Sequence, residues 1–79
     1  MNTRIDLLVA DPYPVFNWME ENVKSAIVRK IAYLHPYLDK WHLKIVLDTP
    51  EAVDNFKLEF KEYIVENVIV TKENFVNKS

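Results

Sequence analysis

Two histidines and a scatter of carboxylates are the residues of this chain that could do chemistry. His35, Asp39 and His42 lie within eight residues, and two imidazoles with a carboxylate form a transition-metal ligand set. His35 and Asp39 flank a proline turn at Pro36, His42 lies on a strand and no fourth ligand stands nearby, so they are expected to be exposed polar turn residues and no metal or other cofactor is expected. Asp11 and Asp48 each follow an expected strand. In a parallel sheet, ligands bind beyond the carboxyl ends of the strands, where two carboxylates would hold Mg²⁺ for phosphodiester hydrolysis. Each also has a plainer role, beside Pro12 or Pro50, as a turn or cap residue. Ser25 and Ser79 are the only serines. Ser25 falls mid-helix with no histidine in register, which leaves a serine triad without a base.

Composition removes more chemistry than it offers. The 79 residues include no glycine and no cysteine, where average usage puts about 5 or 6 glycines in such a length. Without glycine there is no P-loop, no G-x-G-x-x-G turn, no EF-hand and no nucleophile elbow. Without cysteine there is no disulfide framework and no thiolate metal site. Ten basic against twelve acidic residues give a net charge of −2, which argues against nucleic acid as a partner. Asp6 and Asp11 interrupt the only early apolar run, so neither a leader nor a membrane span is expected, and a cysteine-free chain reads as cytoplasmic.

The positioning elements are read from hydrophobic period. Residues 3–10 alternate, with Ile5, Leu7 and Val9 on one side, and form a first strand. Phe16, Met19, Val23, Ile27, Ile31 and Leu34 recur at helical spacing and predict a helix from Asn17 to Leu34, with Asn17 and Glu20 at capping-box spacing. Residues 41–48 alternate more clearly, with Trp41, Leu43, Ile45 and Leu47 on one face. Thr49 and Pro50 open a second helix as N-cap and first helical residue, with Val53, Phe56, Phe60, Tyr63 and Ile64 inward and Asn67 as its stop. Residues 68–71 read as a third strand and 72–79 as a polar C-terminal tail. The expectation is one α/β (or α+β) domain over residues 1–79: a two-layer β-α-β-α-β arrangement, a three-stranded parallel or mixed sheet with both helices on one face. The other face would carry Arg4, Asp6, Leu8, Ala10, His42, Lys44 and Val46.

Three resemblances bear on function. The aspartate after the first strand resembles that of small ferredoxin-like CRISPR-associated nucleases, although three strands fall short of the four of that fold. Glu59-Phe60-Lys61 is similar to the E-x-K of restriction-like nucleases, but that motif belongs on a strand and here falls inside a helix. The stretch Trp41 to Phe60, a strand followed by an acidic-proline cap and a helix with Phe-Lys-Leu, resembles small uncharacterised proteins of tailed bacteriophages. This last resemblance implies an accessory protein that binds and disables a host protein, a defence component among the candidates, in the host cytoplasm.

Apolar residues off the expected core point the same way. Leu58 lies opposite the Phe56/Phe60 stripe, Trp18 and Val28 fall on the back of the first helix, and Val46 shares the uncovered sheet face with Lys44. A cluster of this kind marks a protein contact. The leading expectation is a non-catalytic protein-binding module using Trp18, Val28, Leu58, Val46 and Lys44, with a host protein as partner and a homodimer left open. Two alternatives stand beside it. One is a metal-dependent nuclease using Asp11 and Asp48. The other is a single-stranded nucleic-acid binder using Lys24, Arg29, Lys30, Lys40, His42 and Lys44 with Tyr33, Tyr37 and Trp41 interleaved.

Overall fold

The structure, a computed structural model, describes residues 2–65. Strand β1 (Thr3–Val9) leads into helix α1 (Tyr13–Asn22), a single 3-10 turn (Lys24–Ala26), strands β2 (Ile27–Leu34) and β3 (Trp41–Leu47), helix α2 (Pro50–Phe60) and strand β4 (Ile64–Val65). The strands form one sheet in the order β2-β3-β1-β4, and every hydrogen-bonded pair is antiparallel. This order of elements and strands defines the split βαβ, or ferredoxin-like, arrangement.

The α and β content and the two-layer build agree with the sequence. The strand count and the sheet direction do not. The long first helix expected over Asn17–Leu34 ends at Asn22, and its second half is β2. Asn22 itself closes the helix, its Nδ2 donating to the Trp18 carbonyl at 2.9 Å, which satisfies an end carbonyl that glycine geometry commonly serves. Beyond it Ile27, Val28, Ile31 and Tyr33 are β-branched or aromatic and favour a pleated strand. With β2 inserted, β3 runs antiparallel to β1, so the parallel crossover is lost. The first helix also starts earlier than expected. Pro12 is its N-cap and Pro14 lies in the first turn, where a missing N–H costs nothing, so the Asn17–Glu20 box does not form. The expected stop at Asn67, the strand over 68–71 and the tail over 72–79 lie outside the described residues.

One apolar core joins the layers. Ile5, Leu7, Val9, Leu43, Ile45 and Leu47 line one sheet face, and Val15 and Met19 of α1 with Ala52, Val53, Phe56 and Phe60 of α2 pack onto it. Both helices therefore cover the same face, as expected. Trp18 sits edge-on to Phe56 and Phe60, at centroid distances of 6.1 and 5.3 Å. These near-perpendicular contacts suit the ring quadrupoles and bind one helix to the other. Thr49 caps α2 as expected, its hydroxyl accepting from the Ala52 N–H at 3.2 Å. No helix among the described residues is long and apolar enough to cross a membrane.

Candidate functional site

Because directly opposed residues in an antiparallel ladder share a face, the registers place the polar residues. On the face turned from the helices, Arg29 lies opposite Val46, Ile31 opposite Lys44 and Tyr33 opposite His42. Across β3 lie Arg4, Asp6 and Leu8 of β1. Asp6 is the hub of this face. Arg4 grips it with Nε 2.8 Å from Oδ1 and Nη2 3.0 Å from Oδ2, and His42 Nε2 lies 3.1 Å from that same Oδ2. A carboxylate only accepts, so Nε2 of His42 carries the proton and donates. Tyr33 stacks on the His42 ring at 4.9 Å and 20°, and the Lys44 ammonium stands 5.5 Å from the centroid of Tyr33. His42 is 1% exposed, and its Nδ1 has no hydrogen-bond partner among the described residues.

The electrostatics follow from this arrangement. Burial disfavours the charged form of Asp6, but the hydrogen bonds from Arg4 and His42, with their charges, outweigh it and hold the carboxyl below its usual range. Burial, and then the charge of Asp6, pushes the Tyr33 phenol up. Both histidines, expected to be exposed, are buried, His42 within the sheet and His35 at the end of β2. The Nδ1 of His35 accepts the backbone N–H groups of Tyr37 and Leu38, both at 3.2 Å, so the imidazole turns the chain through the β2–β3 connection in place of a glycine. Burial and then the neighbouring His42 hold its pKa below the ordinary histidine value.

The structure separates the two carboxylates proposed for metal chemistry. Thr3 pairs with Leu47 and Val9 with Trp41, so Asp48 follows one end of the β1–β3 ladder and Asp11 the other. Six residue steps at about 3.3 Å put them on the order of 20 Å apart, far beyond the reach of one ion. The parallel sheet on which their pairing depended is not formed. Asp11 instead accepts the Tyr13 N–H at 3.0 Å, a turn contact. It lines a cleft of about 470 Å³ with Pro12, Tyr13, Phe16, Ala32 and Trp41, and no second carboxylate lines it. The described residues hold no group of three or more metal-ligating side chains.

The contact candidates scatter. Trp18 is spent between the helices. Leu58 is exposed on α2. Lys44 and Val46 lie together on the face of β3 turned from the helices. Val28 is exposed at a register shift in β2, between Ile27 and Arg29. Of the eight large apolar residues exposed among those described, five fall between 28 and 38: Val28, Ile31, Leu34, Tyr37 and Leu38. They follow the outer strand and the turn after it. Of these, the sequence offers Val28 as a protein contact and Tyr37 as a base-stacking aromatic; Ile31 and Leu34 escape it because helical spacing assigns them to a helix core. The β-branched density of 27–31 was the signal for a strand. The sequence places Asp6, Arg4 and His42 on the correct face, but the Asp6–His42 bond depends on a diagonal across the β1–β3 register.

The fold defines the class of protein: a small α+β domain of split βαβ topology in which, among the described residues, both helices cover one sheet face. Comparison with protein-family models, curated proteins and solved structures found no match.

Proposed function

We propose that this chain is a small non-catalytic protein-interaction module whose contact surface is β2 and the β2–β3 turn. The observation that carries this reading is the run of exposed apolar side chains from Val28 through Leu38. Edge strands of soluble proteins are ordinarily protected by charge, proline or brevity. This one is eight residues long and carries Arg29, Lys30 and a register shift between Ile27 and Arg29, so the reading rests on its exposed apolar side chains as a contact patch. The finer form, a viral protein that occupies and disables a host protein, is supported by the resemblance of Trp41 to Phe60 alone. The test compares the full chain with its Leu34→Glu/Leu38→Glu variant as baits at micromolar concentration. Proteins retained by the first and lost by the second support the reading. An identical set on both baits, with the variant folded by circular dichroism, rejects it.

A second reading is favoured by one observation. Arg4, Arg29 and Lys44 gather on the same sheet face as Tyr33, which resembles a base-stacking platform within a basic field. Binding of a labelled single-stranded oligonucleotide that weakens with salt and with Lys44→Ala supports it. Salt-independent or absent binding removes it.

A further inference from the structure

We infer that the cleft at the start of α1 is a binding site for a methylated ammonium group, held among aromatic rings and a carboxylate. It does not depend on the contact patch of β2. The register builds it. Val9 pairs with Trp41, so the end of β1 carries Asp11 to the end of the sheet where β3 begins. Pro12 and Pro14 turn the chain there into α1, and Tyr13 and Phe16, three residues apart on that helix, share one side of it. Asp11, Tyr13, Phe16 and Trp41 line one cleft of about 470 Å³, with the small Ala32 among them. Small-ligand sites occupy roughly 300–1,000 Å³.

The lining fixes the sign of the ligand. Asp11 is the single charged residue in it, and Asp11 forms no ion pair among the described residues. Its Oδ1 accepts the Tyr13 N–H at 3.0 Å. A helix start ordinarily attracts anions through its open N–H groups. Here Pro12 and Pro14 have none, and Asp11 already takes that of Tyr13, so the site favours a cation. A neutral apolar ligand would cover the carboxylate without giving it a partner, which is costly.

The rings fix the kind of cation. The faces of Trp, Tyr and Phe attract positive charge, and the chain shows it at this place. Lys30 Nζ stands 5.5 Å from the Phe16 ring centroid, its own charge met by Glu20 at 2.7 Å. A bare ammonium or a guanidinium brings several N–H donors, and the lining side chains offer acceptors only on Asp11 and Tyr13. A fully methylated ammonium has no donor to satisfy. It presents carbon to the rings and charge to Asp11.

The test titrates the full chain with choline and, separately, with a short peptide bearing trimethyl-lysine. Binding is read from the indole N–H signals in NMR spectra. The chain has two tryptophans, and Trp18, held between the helices, serves as the control. The expected result is a saturable shift at Trp41 and none at Trp18. The uncharged analogue of choline, with a quaternary carbon in place of nitrogen, should bind at least about tenfold more weakly. Tyr13→Ala, at an exposed position, should weaken choline binding by about three- to thirtyfold, the span of one cation–π contact. Asp11→Asn keeps the acceptor for the Tyr13 N–H, so the fold is retained, and should weaken binding and remove its salt dependence. Choline bound as tightly as the peptide identifies a free small cation as the ligand; a peptide bound far more tightly identifies a methylated side chain. Equal binding of the uncharged analogue, binding indifferent to both substitutions, or no saturation with either probe overturns the proposal.

Discussion

Nε2 of His42 lies 3.1 Å from Oδ2 of Asp6 on the side of the sheet away from the helices, although the two residues are not direct cross-strand partners. Leu8 faces His42, and Asp6 faces Lys44. The diagonal contact ties β1 to β3 beneath the ring of Tyr33. The Asp6 side chain is 13% exposed and that of His42 1%. Removing the carboxylate leaves a buried imidazole with neither nitrogen hydrogen-bonded to a described residue. Asp6→Ala is therefore expected to cost about 1–3 kcal/mol in urea unfolding, the range for orphaning a buried polar group. Arg4→Ala should shift the midpoint far less, because its guanidinium is open to water.

Two of the groups with depressed values, His35 and Asp6, act in different pH windows. The folded chain favours neutral His35, whose Nδ1 must stay unprotonated to accept the Tyr37 and Leu38 N–H groups. As pH falls below about 6.5, the unfolded chain takes up a proton there before the folded one does. Its contribution is thus complete above that value and lost toward pH 5. Asp6 follows the same direction lower down. Its stabilisation is present above about 3.9 and disappears as pH falls through its lowered folded value. Urea midpoints measured from pH 7 to pH 5 should decline in the wild type and decline less in His35→Asn. An equal decline in both would refute the assignment to His35.

Trp18 was a contact candidate by sequence, and its contacts are internal. Its edge-on packing against Phe56 and Phe60 places it with the aromatic truncations that cost about 3–5 kcal/mol. Trp18→Ala is expected at the lower end of that range, since the ring is only partly buried. Leu58→Ala, on the exposed side of α2, should change the unfolding free energy by less than about 0.5 kcal/mol. Thermal and urea unfolding of the pair separate core from surface.

The sequence was most legible where one period held without rivals. Trp41–Leu47 alternates on a single phase and is β3; Thr49 and Pro50 mark the start of α2 by cap chemistry alone. The region from Val23 to Leu34 carries two periods at once. Val23, Ile27, Ile31 and Leu34 satisfy helical spacing, yet β2 bears apolar residues on both faces, Ile31 opposite Lys44 and Leu34 opposite Trp41, so alternation is erased. The Asp6–His42 contact was not readable for another reason. It spans 36 positions, and its existence depends on which strand lies beside β1, a fact that followed only once β2 was seen to be a strand. The turn at His35 was hidden because a side chain does the work expected of glycine.

Asp11 offers the plainest separation of turn chemistry from catalysis. Its Oδ1 accepts the Tyr13 N–H at the entrance to α1, and Asp48 stands at the far end of the ladder. An amide oxygen accepts as a carboxylate does, so Asp11→Asn is expected to be nearly neutral in stability. Asp11→Ala, which removes the acceptor, is expected to cost about 1 kcal/mol, as helix-entry caps do. Neither substitution, nor Asp48→Asn, should alter any Mg²⁺-dependent cleavage of a labelled oligonucleotide above the background rate. A cleavage activity abolished by Asp11→Asn with unfolding unchanged would instead show that this carboxylate works chemically, and through a partner other than Asp48.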